Sequence, residues 1–166
     1  MIPERIEAPT VDDALAVVSR AVFQAGLSWK LIETKWPAYV RLFEDFNASR
    51  VALFDGYDVE RIMADGGVVR TRKKIEATIA NARALVALEV RYGGIPAYLR
   101  AFEGYDALAA DLRGRLAFVG DLSAYYVVFR LGGDVPRVEE WERTVTGDHP
   151  RMREMIAHAR AGGWPG

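Results

Sequence analysis

The chain has 166 residues, 51% of them hydrophobic, and a formal net charge of −1, which predicts one domain, residues 1–166, with its own core. It has no cysteine, so disulfides, thiolate nucleophiles and cysteine-ligated zinc are excluded, and we expect neither a metal nor a cofactor. No apolar run approaches the ~20 residues of a membrane span and the N-terminus lacks a signal-peptide layout, which predicts a cytoplasmic protein without a membrane partner.

Helix signals recur along the chain and strand signals do not, which predicts an all-α fold. Thr10, with an acid three positions later, forms a potential capping box before a helix over residues 11–24, and Gly26 ends the apolar periodicity of that helix. Ser28 is predicted to cap a second helix, and Pro37 to lie in the first turn of a third.

The clearest helix runs from about residue 70 to residue 91 and ends at Gly93, with one apolar face that indicates burial. The segment after Gly120 is apolar almost all round, which favours a buried helix; a strand there would have no partner strand. The remaining helices are predicted at caps or first turns at Asn47, Asp58, Pro96 and Asp106, and over residues 151–160.

Four short segments stand out, in this order: residues 24–29 (QAGLSW), 66–75 (GGVVRTRKKI), 81–83 (NAR) and 118–120 (FVG). Together they resemble the type I DNA-3-methyladenine glycosylases of the helix-hairpin-helix DNA glycosylase superfamily, over roughly residues 12–130. The resemblance implies a compact helical bundle with a helix-hairpin-helix element. It also implies an enzyme whose partner is duplex DNA containing an alkylated base.

An enzyme that excises a base must fill the gap that the base leaves in the duplex. The resemblance implies that the turn with Gln24, Gly26 and Leu27 enters the DNA as this wedge. A glycine lets the backbone approach the bases closely, and a leucine supplies an apolar plug. Taken without the resemblance, the same residues also fit a helix C-cap followed by a core leucine.

The extruded base needs a pocket with a stacking surface. The resemblance makes Trp29 that surface, because an indole face attracts a base that methylation has made cationic. Ala21 and Tyr125 are predicted to line the same pocket. Burial of Trp29 in the core is the alternative.

The DNA backbone is expected to bind where a glycine turn leads into a helix, since free N–H groups and the positive end of the helix dipole face outward there. Gly120 is the predicted turn and Ser123 an additional donor, although the carboxylate of Asp121 competes for the same N–H groups. Lys73 and Lys74 are predicted to assist at the backbone, with solvated side chains as the alternative.

Several groups of the family are missing from this chain. Ala21 stands where the family has the carboxylate that reads the flipped adenine, and the N-terminal segment lacks the aromatic side chains of the family. The zinc site of the family cannot form without cysteine, so His149 and His158 are predicted to be surface residues.

A carboxylate that orients water or stabilises the sugar would still support hydrolysis. In the wider superfamily the catalytic carboxylate follows the helix after the hairpin, and the resemblance places Glu139 there, with Glu140 and Asp134 as further candidates. An acidic surface loop is the alternative interpretation of this segment.

The sequence therefore favours a DNA base-excision repair glycosylase that hydrolyses the N-glycosidic bond of an alkylated purine such as 3-methyladenine. A catalytically inactive relative that binds damaged or abasic DNA is the alternative, favoured by the missing groups. A helical protein-interaction domain is a third, supported only by the slightly acidic balance. Neither the preferred base nor the oligomeric state is indicated.

Overall fold

The structure, a computed structural model, describes residues 4–145, apart from the side chain of Trp29. Within that range the secondary structure is helical and contains no strand, which confirms the all-α prediction. None of the described helices has the length and apolar character that a membrane crossing requires. The helices are α1 (Val11–Gln24), α2 (Trp29–Leu42), α3 (Ala48–Val51), α4 (Gly56–Met63), α5 (Arg72–Tyr92), α6 (Ile95–Leu99), α7 (Gly104–Arg115), α8 (Asp121–Arg130) and α9 (Val138–Glu142).

Helix α1 begins and ends where the sequence predicts. The Asp13 N–H donates to Thr10 Oγ1 (3.1 Å), and the Thr10 N–H donates to the Asp13 carboxylate (2.9 Å), which completes the capping box. The predicted cap of α2 is also confirmed, because the Leu31 N–H donates to Ser28 Oγ at 3.0 Å. Local side-chain chemistry therefore fixes where each of these two helices begins.

The predicted helix break at Pro37 is wrong, because α2 continues through this residue to Leu42. A proline inside a helix removes the hydrogen bond to the carbonyl four residues earlier. The same helix buries Ile32 and Tyr39 completely on one face. Burial of such side chains stabilises by roughly 1.5–3 kcal/mol each, which offsets the lost bond.

Two predicted caps are wrong by three residues. The cap of α4 is Asp55, whose carboxylate accepts from the Tyr57 and Asp58 N–H groups, and Asp58 is its capping-box partner. Likewise α7 follows Glu103, so that Asp106 lies in its first turn. An acid is favourable at either position because both face the positive end of the helix dipole.

Helix α8 is buried along residues 124–129 and packs on α1 and α7, which confirms the helix predicted after Gly120. Helix α5 packs on α1, α3 and α6. The sequence did not predict α9, and the predicted helix over residues 151–160 lies outside the described residues. Helix α5 thus runs past both the α1–α2 turn and the α7–α8 connection, on which the predicted DNA contacts fall.

Candidate DNA-binding site

The turn between α1 and α2 is a type II β-turn. The Leu27 N–H donates to the Gln24 carbonyl at 2.9 Å, Ala25 has φ −57° and ψ 119°, and Gly26 has φ +79°. These angles define a type II turn, which requires a positive φ at its third residue and therefore favours glycine. Glycine at this position is thus needed for the shape of the turn.

The three predicted wedge residues differ in exposure. Gly26 lies at the exposed tip of the turn, and no atom of the described part of the chain lies within 4 Å of where a Cβ would be placed. Leu27 is half-buried and packs against the core. Gln24 is only 6% exposed, so its side chain belongs to the end of α1 and would have to move to reach DNA.

The first turn of α5 lies beside this turn and carries Arg72, Lys73 and Lys74, with Arg70 just before the helix. Lys74 Nζ donates to the carbonyl oxygen of Ala25 at 2.7 Å. Arg72 forms an ion pair with Glu60. Lys73 and Arg70 are exposed, and no carboxylate of the described residues lies within ion-pair distance of either. Of the two lysines predicted to contact DNA, Lys73 therefore faces solvent and Lys74 is engaged within the protein.

The connection between α7 and α8 spans residues 116–120 and carries the predicted hairpin. Phe118 has φ +61° and is 51% exposed at its tip. Asn81 of α5, only 1% exposed, forms two hydrogen bonds with this connection. Its amide NH₂ donates to the Ala117 carbonyl (3.2 Å), and its carbonyl oxygen accepts from the Ala117 N–H (2.7 Å). A buried side chain thus fixes the conformation of the hairpin.

Gly120 is the exposed N-cap residue of α8, and no side chain between residues 4 and 145 caps this helix. The first N–H groups of a helix have no partner within it and favour an anion. Asp121 already supplies one negative charge there, and its carboxylate binds Arg113 of α7 at 2.6 Å. Ser123 lies in the same first turn and is half-buried. The start of α8 is therefore exposed at Gly120, and the carboxylate of Asp121 partly neutralises the positive end of the helix dipole there.

Two of the predicted pocket residues are buried. Ala21 is 7% exposed in the last turn of α1. The Tyr125 hydroxyl donates to the Pro136 carbonyl at 2.7 Å, and its ring contacts that of Trp141, with centroids 4.5 Å apart. The side chain of Trp29 lies outside the described part, so its predicted stacking role stays a prediction.

Glu139, the predicted catalytic carboxylate, is exposed on α9 and lies 4.0 Å from Arg137. It also lies near Tyr125. Burial raises the pKa of the Tyr125 hydroxyl, and the negative charge of Glu139 raises it further. Glu140 and Asp134 are exposed as well. Exposure therefore does not select one of these three carboxylates for catalysis.

The surface also has a cleft of about 750 Å³ that the sequence did not predict; it lies between residues 5–9, residues 131–134 and part of the segment 96–108. Asp134, a further candidate for the catalytic carboxylate, lies in its lining, whereas Glu139, Glu140 and the described pocket and wedge residues do not. Among the described residues no cluster of three or more His, Cys, Asp or Glu side chains is arranged to hold a metal ion. His149 and His158 lie outside those residues.

Over the described residues the chain is a strand-free bundle in which one long helix contacts a glycine-tipped turn and the connection between α7 and α8, and this is the fold of the helical DNA glycosylases. A crystal structure of 3-methyladenine DNA glycosylase I superposes with a TM-score of 0.65 at 29% identity, covering 77% of this chain and 81% of that chain. A solution structure of 3-methyladenine DNA glycosylase I gives 0.64 at 27% identity, covering 79% of each.

The chain belongs to the methyladenine glycosylase family, whose model matches residues 12–124. It is 44% identical over 66 residues to DNA-3-methyladenine glycosylase 1 of Escherichia coli, covering 40% of this chain. It is 29% identical over 89 residues to DNA-3-methyladenine glycosylase of Haemophilus influenzae, covering 54% of this chain. These matches span 35% and 48% of the length of the two relatives.

Proposed function

We propose that this protein is a DNA base-excision repair glycosylase that hydrolyses the N-glycosidic bond of an alkylated purine, such as 3-methyladenine, flipped out of duplex DNA. Family membership supports the class of reaction. The observation that carries the proposal is that one face of α5 holds both the Gly26 turn, through Lys74, and the hairpin, through Asn81. The cytoplasm is the proposed location.

Each of these parts has a task in base flipping. The turn at Gly26 and Leu27 fills the space vacated by the base, while the start of α8 and Lys73 bind phosphates on either side. The flipped base stacks on Trp29. Because a base methylated at a ring nitrogen is cationic, it is attracted to the indole face and leaves as a neutral molecule.

Hydrolysis breaks the bond between C1′ of the sugar and the purine nitrogen. The bonding electrons leave with the cationic base, which becomes neutral, and C1′ acquires oxocarbenium character. The oxygen of a water molecule then bonds to C1′, and its proton passes to a carboxylate or to solvent. We propose Glu139 for this carboxylate because the resemblance to the superfamily places the catalytic carboxylate in its segment; Asp134 and Glu140 also follow α8.

The direct test is the release of free N3-methyladenine from methylated duplex DNA. We expect release by the unaltered protein and a loss of roughly 5- to 150-fold in Trp29→Ala, since base stacking contributes about 1–3 kcal/mol. Tyr57→Ala removes an aromatic side chain that is 77% exposed and is the matched control. Equal loss in both variants would mean that Trp29 has no special role.

A second candidate is a catalytically inactive relative that binds damaged or abasic DNA. Ala21 favours it, because a buried methyl group stands where the family has a base-reading carboxylate. The buried polar residues of the described part are Ser19, Gln24, Thr78 and Asn81, none of them a carboxylate. Tight binding to a duplex with an abasic analogue, without release of any alkylated base, would establish this function. No preference for such a duplex over an intact one would contradict both.

A further inference from the structure

The orientation of one peptide group distinguishes the two common forms of the turn at Gly26. Types I and II share φ at the second residue, but ψ there differs by about 150° and the following φ by about 170°. The peptide between Ala25 and Gly26 is therefore turned over between the two forms, and the Ala25 carbonyl points in opposite directions. An Ala-Gly pair tolerates both forms, since glycine accepts either sign of φ.

Lys74 binds the carbonyl that distinguishes these forms. Its ammonium group donates to the Ala25 oxygen at 2.7 Å from the first turn of α5, 49 residues away in the chain. The side chain is half-buried, and the resulting desolvation lowers the pKa of the ammonium group. A hydrogen bond from a charged donor is roughly twice as strong as a neutral one, so it favours the turn whose carbonyl faces α5.

We propose that Lys74 is a positioning residue that holds the turn in its type II form and so fixes Gly26 at the tip. The consequence for DNA rests on the proposed function, since it requires this turn to be the wedge. Lys73, the adjacent residue on α5, is exposed and serves as the phosphate contact. The two neighbouring lysines thus have different roles, one toward the protein and one toward DNA.

The first test needs no DNA. In Lys74→Met the unbranched side chain keeps its packing and loses the ammonium group, so the backbone NMR signals of Ala25, Gly26 and Leu27 should shift and broaden. Lys73→Met, the matched control, should leave these signals in place. Unchanged turn signals in Lys74→Met would overturn the proposal, whatever the protein does with DNA.

The second test measures affinity for a duplex with an abasic analogue at several salt concentrations. Lys74→Met should weaken binding about tenfold, the loss of one charge-assisted hydrogen bond, with an unchanged slope of log affinity against log salt. Lys73→Met should reduce that slope by about one unit, the loss of one phosphate contact. A reduced slope in Lys74→Met would mean that this lysine contacts phosphate, and would contradict the proposal.

Gly26→Ala provides a variant that leaves Lys74 intact. Among the described residues no atom lies within 4 Å of a Cβ there, so we expect the substitution to act through φ +79° and to disfavour the type II turn. The double variant with Lys74→Met should bind DNA no more weakly than Gly26→Ala alone, because both substitutions disfavour the same type II conformation of the turn. Losses that multiply would show that Lys74 acts elsewhere. If the unaltered protein shows no preference for the abasic duplex, the proposed function fails, while the NMR result still decides the role of Lys74.

Discussion

Lys74 and Asn81 lie two turns apart on the same face of α5, and each donates a hydrogen bond to a backbone carbonyl of a different connecting segment. Lys74 binds Ala25 in the α1–α2 turn, and Asn81 binds Ala117 in the α7–α8 connection. Seven residues of α-helix rise about 10 Å. Helix α5 therefore sets the spacing between the proposed wedge and the proposed phosphate site.

Asn81→Leu should lower the free energy of unfolding by about 2–4 kcal/mol, because it leaves the N–H and the carbonyl of the half-buried Ala117 without their partner. Urea unfolding followed by circular dichroism measures the change. Asn47→Ala is the control: Asn47 makes a single cap bond to the Arg50 N–H, and losing such a cap costs about 1 kcal/mol. A loss at Asn81 no larger than that at Asn47 would show that the hairpin does not depend on the Asn81 hydrogen bonds.

Asp121→Asn should strengthen binding to duplex DNA. It removes a negative charge from the start of α8 and frees Arg113, its partner at 2.6 Å, to bind phosphate. One added phosphate contact steepens the dependence of log affinity on log salt by about 0.9. Asp106→Asn makes the same charge change in the first turn of α7. Equal gains in both variants would indicate a net-charge effect and contradict a phosphate site at α8.

Ala21→Glu should increase the rate of N3-methyladenine release, since it restores the carboxylate that the family places at this position. It should also destabilise the protein by about 2 kcal/mol or more, because the site is 7% exposed and a buried charge is costly. Ala21→Gln, similar in size but neutral, is the control and should give no comparable increase. An equal increase in both variants would mean that the charge has no role in reading the base.

Asp111 makes the stability of the protein depend on pH in the acidic range. Burial disfavours its charged form, but hydrogen bonds from Arg115 and Tyr98, both 2.6 Å, outweigh this and lower the pKa below the ordinary value of 3.8. The unfolded chain then binds more protons as the pH falls below about 4, so stability is lost there.

Asp111→Asn should therefore show a smaller loss of unfolding free energy between pH 7 and pH 3 than the unaltered protein, as measured by urea unfolding. Tyr98→Phe keeps the carboxylate, removes one of its two hydrogen bonds and should give an intermediate loss. An unchanged acid dependence in Asp111→Asn would mean that other carboxylates account for it.

Local signals in the sequence predicted the ends of α1 and α5 well, because a capping box and a left-handed glycine act within a few residues. Asp58 and Asp106 were assigned to the wrong cap position, since an acid is favourable anywhere in a first turn. Pro37 was misjudged because the burial that holds α2 together depends on contacts with distant residues.

The site residues show the same difference between local signals, which the sequence reveals, and contacts with distant residues, which it does not. The shape of the turn at Gly26 follows from the glycine itself, whereas the roles of Lys74 and Asn81 depend on partners 49 and 36 residues away. Lys73 and Lys74 are equivalent in the sequence, yet a rotation of about 100° per residue points one outward and the other at the turn. Glu139 remains a prediction because its segment follows the matched family region.

Because Lys74 binds the Ala25 carbonyl within the protein, the tip of the turn takes its shape during folding. A segment that is already ordered loses little conformational entropy when it binds, so less of the contact energy is consumed at encounter. On the proposed function, a stiff tip does not adapt to the duplex it touches. The choice between damaged and intact sites then depends on the stability of the DNA. Base steps that damage has weakened unstack when the tip contacts them, whereas intact steps stay stacked.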